Sequence, residues 1–126
     1  MPTTLLLGGS QHRWSSWLEQ NLGRRPLLVL DPANAEFGTP GCVTLVQGGE
    51  RMDWRFVGAI DSSRQPMNLL AAAAEFRETP QLVALTFAPR PNPTARQLLQ
   101  AIAQVLAPTE ILGSKDEAWE REGWPV

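Results

Sequence analysis

The sequence has one cysteine, Cys42, and one histidine, His12. A disulfide within the chain needs two cysteines, and a structural zinc site draws four ligands mainly from cysteine and histidine. The sequence therefore predicts no internal disulfide, no metal site and no cofactor bound through such residues. A chain of this kind is compatible with a reducing compartment.

Long apolar runs are also missing. The longest strictly apolar run extends from Leu69 to Ala74, whereas a helix that spans a bilayer needs about 20 apolar residues. The first residues, from Met1 to Gly9, have no basic segment and too short an apolar stretch for a signal peptide. We therefore predict a cytoplasmic protein that is not associated with a membrane.

Positive charge is not in excess, since the net charge is −2 and the pI is about 5.4. This balance predicts no general attraction to nucleic acid or to anionic membranes. Lys115 is the only lysine among the 11 basic residues. We interpret the dominance of arginine as the codon bias of a GC-rich, bacterial genome.

What the sequence does contain is a regular alternation of short apolar runs and helical patterns. Apolar runs closed by glycine, proline or aspartate are typical of buried strands, and apolar residues at helical spacing are typical of amphipathic helices. We expect helices over 11–22, with Ser10 as its cap, and from Pro66 and Pro93 onward. We expect strands over 3–7, 27–30, 42–47, 53–60, 82–87 and 110–112.

Strands that alternate with helices predict an α/β three-layer sandwich. Its sheet should be mostly parallel, with about five strands in a flavodoxin/receiver-like or Rossmann-like order, and residues 42–60 should add a β-hairpin. We assign 1–113 to a single α/β domain and 114–126 to a polar C-terminal tail. Trp119 and Trp124 in this tail either fold back and become buried or are presented to a protein partner.

Candidate ligand-binding residues follow the predicted strands. In open α/β sheets, ligands sit beyond the carboxyl ends of the strands, and small or polar residues stand at those ends here. His12 is added because it falls in the first turn of the first helix. The candidates for binding a ligand or anion are Gly8, Gly9, Ser10, His12, Asp31, Asp61, Ser62 and Thr86.

The first loop, Gly8-Gly9-Ser10, joins a strand to a helix, and backbone amides at such a helix start can hold a phosphate. Asp31 follows the second strand at about the position of the ribose-binding acid in dinucleotide folds. However, the sequence contains neither G-x-G-x-x-G nor G-x-x-x-x-G-K-[ST]. The alternative interpretation is a tight turn with a helix cap at the first loop and an Asp-Pro turn at Asp31.

No catalytic residue is predicted. His12 has no neighbouring nucleophile or paired carboxylate in the pattern, and no serine lies in a G-x-S-x-G elbow. We therefore favour a protein that is not an enzyme, and an enzyme that uses His12, Asp61 or Ser62 is the third-ranked alternative.

Three segments together resemble the receiver domains of response regulators. The stretch Arg77-Glu78-Thr79-Pro80-Gln81-Leu82-Val83-Ala84-Leu85-Thr86 is similar to their fourth-strand region. The run Thr4-Leu5-Leu6-Leu7, followed by Ser10 and Arg13, is similar to their first strand and helix, and Asp61 with Pro66-Met67-Asn68 resembles the phosphoacceptor strand and its loop.

The resemblance implies that Thr86 is the switch hydroxyl and that Lys115 is the lysine after the last strand. Gly8-Gly9 stands where receivers have the acidic pair that binds Mg²⁺, so the resemblance implies a degenerate receiver that docks without phosphotransfer. We therefore expect a non-enzymatic protein-interaction or regulatory module with an unidentified protein partner. The alternative is a small Rossmann-like nucleotide- or anion-binding protein that uses Gly8-Gly9-Ser10 and Asp31.

Overall fold

The computed structural model describes residues 3–7, 14–34, 37–61, 64–87 and 93–113. These residues form an α/β fold with a mixed six-stranded sheet and three helices. In chain order the elements are β1 (Thr4–Leu7), α1 (Ser15–Asn21), β2 (Leu27–Val29), β3 (Cys42–Gln47), β4 (Glu50–Phe56), α2 (Pro66–Glu75), β5 (Val83–Leu85), α3 (Pro93–Leu106) and β6 (Glu110–Gly113).

The sheet has the strand order β4-β3-β2-β5-β1-β6. Four neighbouring strands, β2, β5, β1 and β6, are parallel. The hairpin β3–β4 extends this parallel part from β2 in antiparallel fashion. The predicted mostly parallel sheet with an added hairpin is therefore confirmed.

Apolar side chains cover both faces of the sheet, because the central strands are buried on both sides. On one face, α2 and α3 pack through Leu69, Phe76 and Ile102 against strand residues such as Leu5 and Leu28. On the other face, α1 packs against the sheet. That second cluster includes Leu6, Trp14, Leu18, Val29, Val46 and Leu85. The result is the expected three-layer arrangement.

The order of the parallel strands differs from both expected patterns. In flavodoxin-like and Rossmann-like sheets, the first and second strands are neighbours, whereas here β5 lies between β1 and β2. Leu85 of β5 pairs with Leu6 on one side and Val29 on the other. Run length and hydrophobicity do not specify which apolar strand enters the middle, so the sequence patterns did not fix this order.

The hairpin turn explains why β4 begins earlier than the predicted residue 53. Gly48 and Gly49 both have positive φ, 61° and 80°, as a two-residue type I′ turn requires. Such a turn places Gln47 opposite Glu50, so the exposed charged residues at the start of β4 join the ladder. The strand ends at Phe56, before Gly58 with its φ of 93°, and not at residue 60.

The first helix also differs at its start. Trp14, not Ser10, occupies the N-cap position, and it has no side-chain capping bond. Ser10 itself lies outside the described residues, as does the tail 114–126 with Trp119 and Trp124. Within the described ranges, no helix combines the length and the apolar character that a membrane span requires.

Replacing Gly48 by valine should lower the free energy of unfolding by about 1–2 kcal/mol, because a β-branched residue is strained at positive φ. No atom lies within 4 Å of the site where a Cβ would stand, so crowding does not contribute. Gly48→Asn is the matched control, since asparagine tolerates this conformation and Asn-Gly is a preferred type I′ pair. Urea unfolding measures both variants, and equal losses of stability in the two would contradict a turn of this type.

Candidate functional site

The carboxyl ends of the parallel strands form one rim, where the sequence analysis placed the ligand-binding candidates. Asp31 follows β2 and Thr86 follows β5, and these two strands are paired neighbours. The N–H groups of Leu30 and Thr86 donate to the C=O groups of Leu85 and Leu6, which extends the ladder to the rim. The structure therefore brings Asp31 and Thr86 to the same edge, as predicted.

At this rim Asp31 organises its own turn. One carboxylate oxygen, Oδ1, accepts the N–H of Ala33 at 3.0 Å, and the Asp31 C=O accepts the N–H of Asn34 at 3.0 Å. The side chain of Asn34 in turn accepts the N–H of Phe37. This is the local turn chemistry typical of Asp and Asn, in line with the Asp-Pro turn given as the alternative interpretation.

The hydroxyl of Thr86 is buried and forms a hydrogen bond with the backbone. Its Oγ1 donates to the C=O of Leu6 at 2.9 Å, and the side chain is 2% exposed. The bond ties the end of β5 to β1. A phosphorylation-sensing role for this hydroxyl stays a prediction.

Strand order sets large spacings between the remaining candidates. Neighbouring strands lie about 4.8 Å apart, so Asp31 is separated by about 10 Å from the end of β1, across β5. Asp61 lies in the loop after β4, whose strand is about 19 Å from β1 by the same spacing. The structure thus places the strand before Asp61 four positions away from β1 in the sheet.

Five sequence-predicted candidates, Gly8, Gly9, Ser10, His12 and Ser62, lie outside the described residues. They stay predictions. Among the described residues, no group of three or more histidine, cysteine, aspartate and glutamate side chains is arranged to hold a metal ion.

A second surface, which the sequence analysis did not identify, lies at the end of the sheet. Strand β4 is the terminal strand, and none of the described residues forms a strand on its outer side. Met52, Trp54 and Phe56 are 57%, 56% and 79% exposed. We call the outer side of β4, with these three apolar side chains, the β4 edge.

The exposure of the two rings follows from their place in the sheet. Trp54 pairs with Thr44, which pairs with Val29 in the cluster under α1, so Trp54 points to that face. The ring of Phe56 lies close to Gly41 and Gly58: a Cβ atom built on these glycines would be 3.9 Å and 3.7 Å from the ring. Glycine has no side chain that could cover the ring of Phe56. Trp54 is exposed because β4 is the terminal strand of the sheet.

Backbone groups of β4 also face outward. The N–H of Val57 donates to the C=O of Gly41 at 2.8 Å, so it points toward β3. Since N–H and C=O directions alternate along a strand, the backbone groups of Trp54 and Phe56 point to the free side. Backbone groups that point outward from an edge strand are a template for another strand.

Two charged side chains cap the outward groups of Trp54. Its N–H donates to Oδ1 of Asp53 at 2.8 Å, and its C=O accepts Nη1 of Arg55 at 2.8 Å. The same Nη1 lies 2.6 Å from Oδ1 of Asp53. Arg55 also contacts Glu75 of α2 through Nε at 2.5 Å and lies over the ring of Phe76.

The contact between Asp53 and Arg55 lowers the pKa of the aspartate and raises the pKa of the arginine, so both charged forms are favoured. The hydrogen bond from Arg55 holds the pKa of Asp53 below its usual value of 3.8, with a smaller contribution from the N–H of Trp54. The hydrogen bonds to Asp53 and then to Glu75 raise the pKa of Arg55. Asp53 therefore stays ionised throughout the neutral range, and its pairing is lost only in acid.

The sequence does contain the alternation that builds this surface. Apolar residues at 52, 54 and 56 alternate with charged residues at 51, 53 and 55, and such a period of two normally predicts that the apolar face is buried. In the structure, the register shift at Met52 interrupts this alternation, so that Trp54 and Phe56 share a face and Met52 has no partner in β3. The terminal position of β4 leaves the two rings exposed.

Comparison with known proteins finds no matching family model and no matching curated protein. Similar folds occur among solved structures. One structure concerns the extended interface between Pcf11p and Clp1p and the structural basis of ATP loss in a glycine-to-arginine mutant. A chain of that structure matches 95% of the present chain with a TM-score of 0.63 and 16% sequence identity. A wild-type Clp1p–Pcf11p complex matches with a TM-score of 0.62 and 17% identity over 95% of this chain.

This chain covers 40% and 39% of the two matched chains, so it corresponds to less than half of their length. At this level of identity the likeness establishes a shared fold.

Replacing Arg55 by glutamine should raise the pKa of Asp53 toward its usual value, because the main group that stabilises the carboxylate is lost. A carboxyl group with a lowered pKa in the folded state stabilises that state only while it is ionised. The contribution of this ion pair to the stability of the wild type should therefore be lost as the pH falls through the pKa of Asp53. Carboxyl NMR titration measures the shift. Arg51→Gln is the matched control in the same strand, and an unchanged Asp53 pKa in Arg55→Gln would contradict the contact.

Proposed function

We propose that this chain is a non-enzymatic protein-interaction module whose contact surface is the β4 edge. The supporting observation is the exposure of Met52, Trp54 and Phe56 along one free strand. Apolar side chains exposed together are typical of interaction sites, and Trp, Phe and Met are enriched at interfaces. Outward backbone groups of β4 would add hydrogen bonds to an extended segment of the partner once Asp53 and Arg55 release those of Trp54.

Two further observations fit this proposal. The matched structures come from a complex of two proteins, Clp1p and Pcf11p, which makes a protein partner a reasonable expectation for a similar fold. Trp119 and Trp124 supply a second proposed contact in the tail. We place the protein in the cytoplasm as part of the same proposal.

A more specific form of this proposal is a regulatory role like that of a receiver domain. It rests on the resemblance in sequence and on Gly8-Gly9 in place of the acidic pair, which would leave docking as the remaining activity. The strand order argues against it, because receivers have the flavodoxin-like order and β5 here separates β1 from β2.

Nucleotide or anion binding at the loop after β1 is the second candidate, favoured by the position of this loop between β1 and α1. Gly8 and Ser15 have the spacing of the first and last residues of a P-loop, but Arg13 and Trp14 stand where its second glycine and lysine belong. Trp14 is 7% exposed and packs edge-to-face on Trp17 at 6.3 Å. A core tryptophan cannot replace an ammonium group that contacts phosphate, so we rank this candidate second.

The double substitution Trp54→Ser/Phe56→Ser should abolish partner capture while leaving the fold intact, because both side chains are exposed and contribute little to the core. Affinity capture from the native extract, followed by mass spectrometry, compares it with wild type. Gln97→Ser/Gln100→Ser on the exposed side of α3 is the control. Proteins retained by wild type and control but lost by the β4 variant support the proposal; identical captures for all three would refute it.

We expect titration with ATP–Mg²⁺ and with inorganic phosphate to leave the melting temperature of the protein unchanged, because we rank anion binding at the loop after β1 second. A specific ligand at 100 times its Kd would add about 2.7 kcal/mol of stability, which is several degrees for a domain of this size. Ser10→Ala is the matched variant. A saturable increase in melting temperature that Ser10→Ala removes would establish the second candidate instead.

A further inference from the structure

The charges beside Trp54 make β4 complementary to a second copy of itself. In an antiparallel pair of identical strands with a two-fold axis at Trp54, Asp53 of each copy faces Arg55 of the other. The two Trp54 side chains face each other. Met52 lies outside this regular segment, because the register of β4 against β3 shifts there and leaves Met52 without a partner in β3. Opposite charges and apolar pairs at facing positions are the combinations that stabilise a sheet.

Neighbouring registers do not have this property. An axis at Asp53 places Arg51 opposite Arg55, and an axis at Arg55 places that arginine opposite its own copy. Like charges directly opposite each other destabilise a pair of strands. Among these three adjacent registers, the one centred on Trp54 alone contains no like-charge pair.

We propose, on the basis of the interaction role assigned to the β4 edge, that its partner is a second copy of this chain. Two copies would join through β4 about an axis at Trp54, and the two six-stranded sheets would become one continuous sheet. A closed two-fold interface uses the same patch on both copies, which is what the alternation of Asp53, Trp54 and Arg55 provides.

In this dimer, the outward backbone groups of Trp54 would change partners. The N–H and C=O of Trp54 now bond Asp53 and Arg55; across the axis they would bond the C=O and N–H of the other Trp54. Asp53 and Arg55 are then released to pair with Arg55 and Asp53 of the second copy. For two chains, four capping hydrogen bonds would give way to two backbone hydrogen bonds between the Trp54 residues, whereas the two Asp53–Arg55 ion pairs would be replaced in equal number. Burial of Trp54 and Phe56 would therefore have to supply the driving force and offset the two lost bonds.

The test exploits the fact that each chain carries both charges. Asp53→Arg gives a chain with two arginines around Trp54, and Arg55→Asp gives a chain with two aspartates. Each variant alone would place like charges opposite each other at the axis, whereas a one-to-one mixture would place arginine opposite aspartate at both positions. Analytical ultracentrifugation and native mass spectrometry measure the oligomeric state of wild type, of each variant and of the mixture.

We expect wild type to show twice the 13.9 kDa mass of the chain, each variant to associate at least tenfold more weakly, and the mixture to form heterodimers. Mixing cannot repair contacts within a chain, so recovery in the mixture is specific to pairing between copies. Circular dichroism checks that the variants fold. Trp54→Pro, which removes an N–H that faces away from β3, should also prevent the dimer without a change of charge.

A wild type that stays monomeric at concentrations on the order of 100 µM, which covers Kd values tighter than about 0.1 mM, would overturn the dimer. So would single variants that still dimerise, or a mixture that forms no heterodimer. The interaction role is judged separately by the capture experiment. A monomeric wild type whose captured proteins are lost in Trp54→Ser/Phe56→Ser would leave that role standing and eliminate only the second copy as partner.

Discussion

Backbone pairing of β5 with β1 on one side and β2 on the other is the constraint on which the rest of the structure depends. It joins three segments that are far apart in sequence, and Val83, Ala84 and Leu85 are buried on both faces as a result. The buried hydroxyl of Thr86 reinforces the pairing by donating to Leu6. Insertion of β5 also determines which loops meet at the rim, since it separates Asp31 from the loop that follows β1.

The same pairing determines the position of the hairpin. With one side of β2 occupied by β5, β3 and β4 add to its other side and β4 becomes the end of the sheet. An exposed edge strand is prone to uncontrolled association, and charged side chains are a common protection. Here Asp53 and Arg55 cap the outward groups of Trp54, and Glu75 anchors Arg55 to α2. Exposed ion pairs of this kind contribute little stability, so their exchange for pairs between chains would cost little.

The two surfaces of the domain therefore differ in chemistry. At the rim, the described polar groups are engaged in local structure: Asp31 holds a turn and Thr86 bonds β1. At the β4 edge, large apolar side chains and a strand margin are open to solvent apart from a small capping network. This contrast is the physical basis for our proposal that the β4 edge associates with protein.

The sequence by itself determined the elements, because they depend on local pattern: apolar runs for strands, helical spacing for helices, and two glycines for the hairpin turn. It also determined that Asp31 and Thr86 share a rim, since both follow strands that run in one direction. Only the tertiary structure decided the strand order and the exposure of Trp54 and Phe56. Both depend on which strands become neighbours across long separations in the chain, and periodicity within β4 is the same whether its apolar face is covered or left at the margin of the sheet.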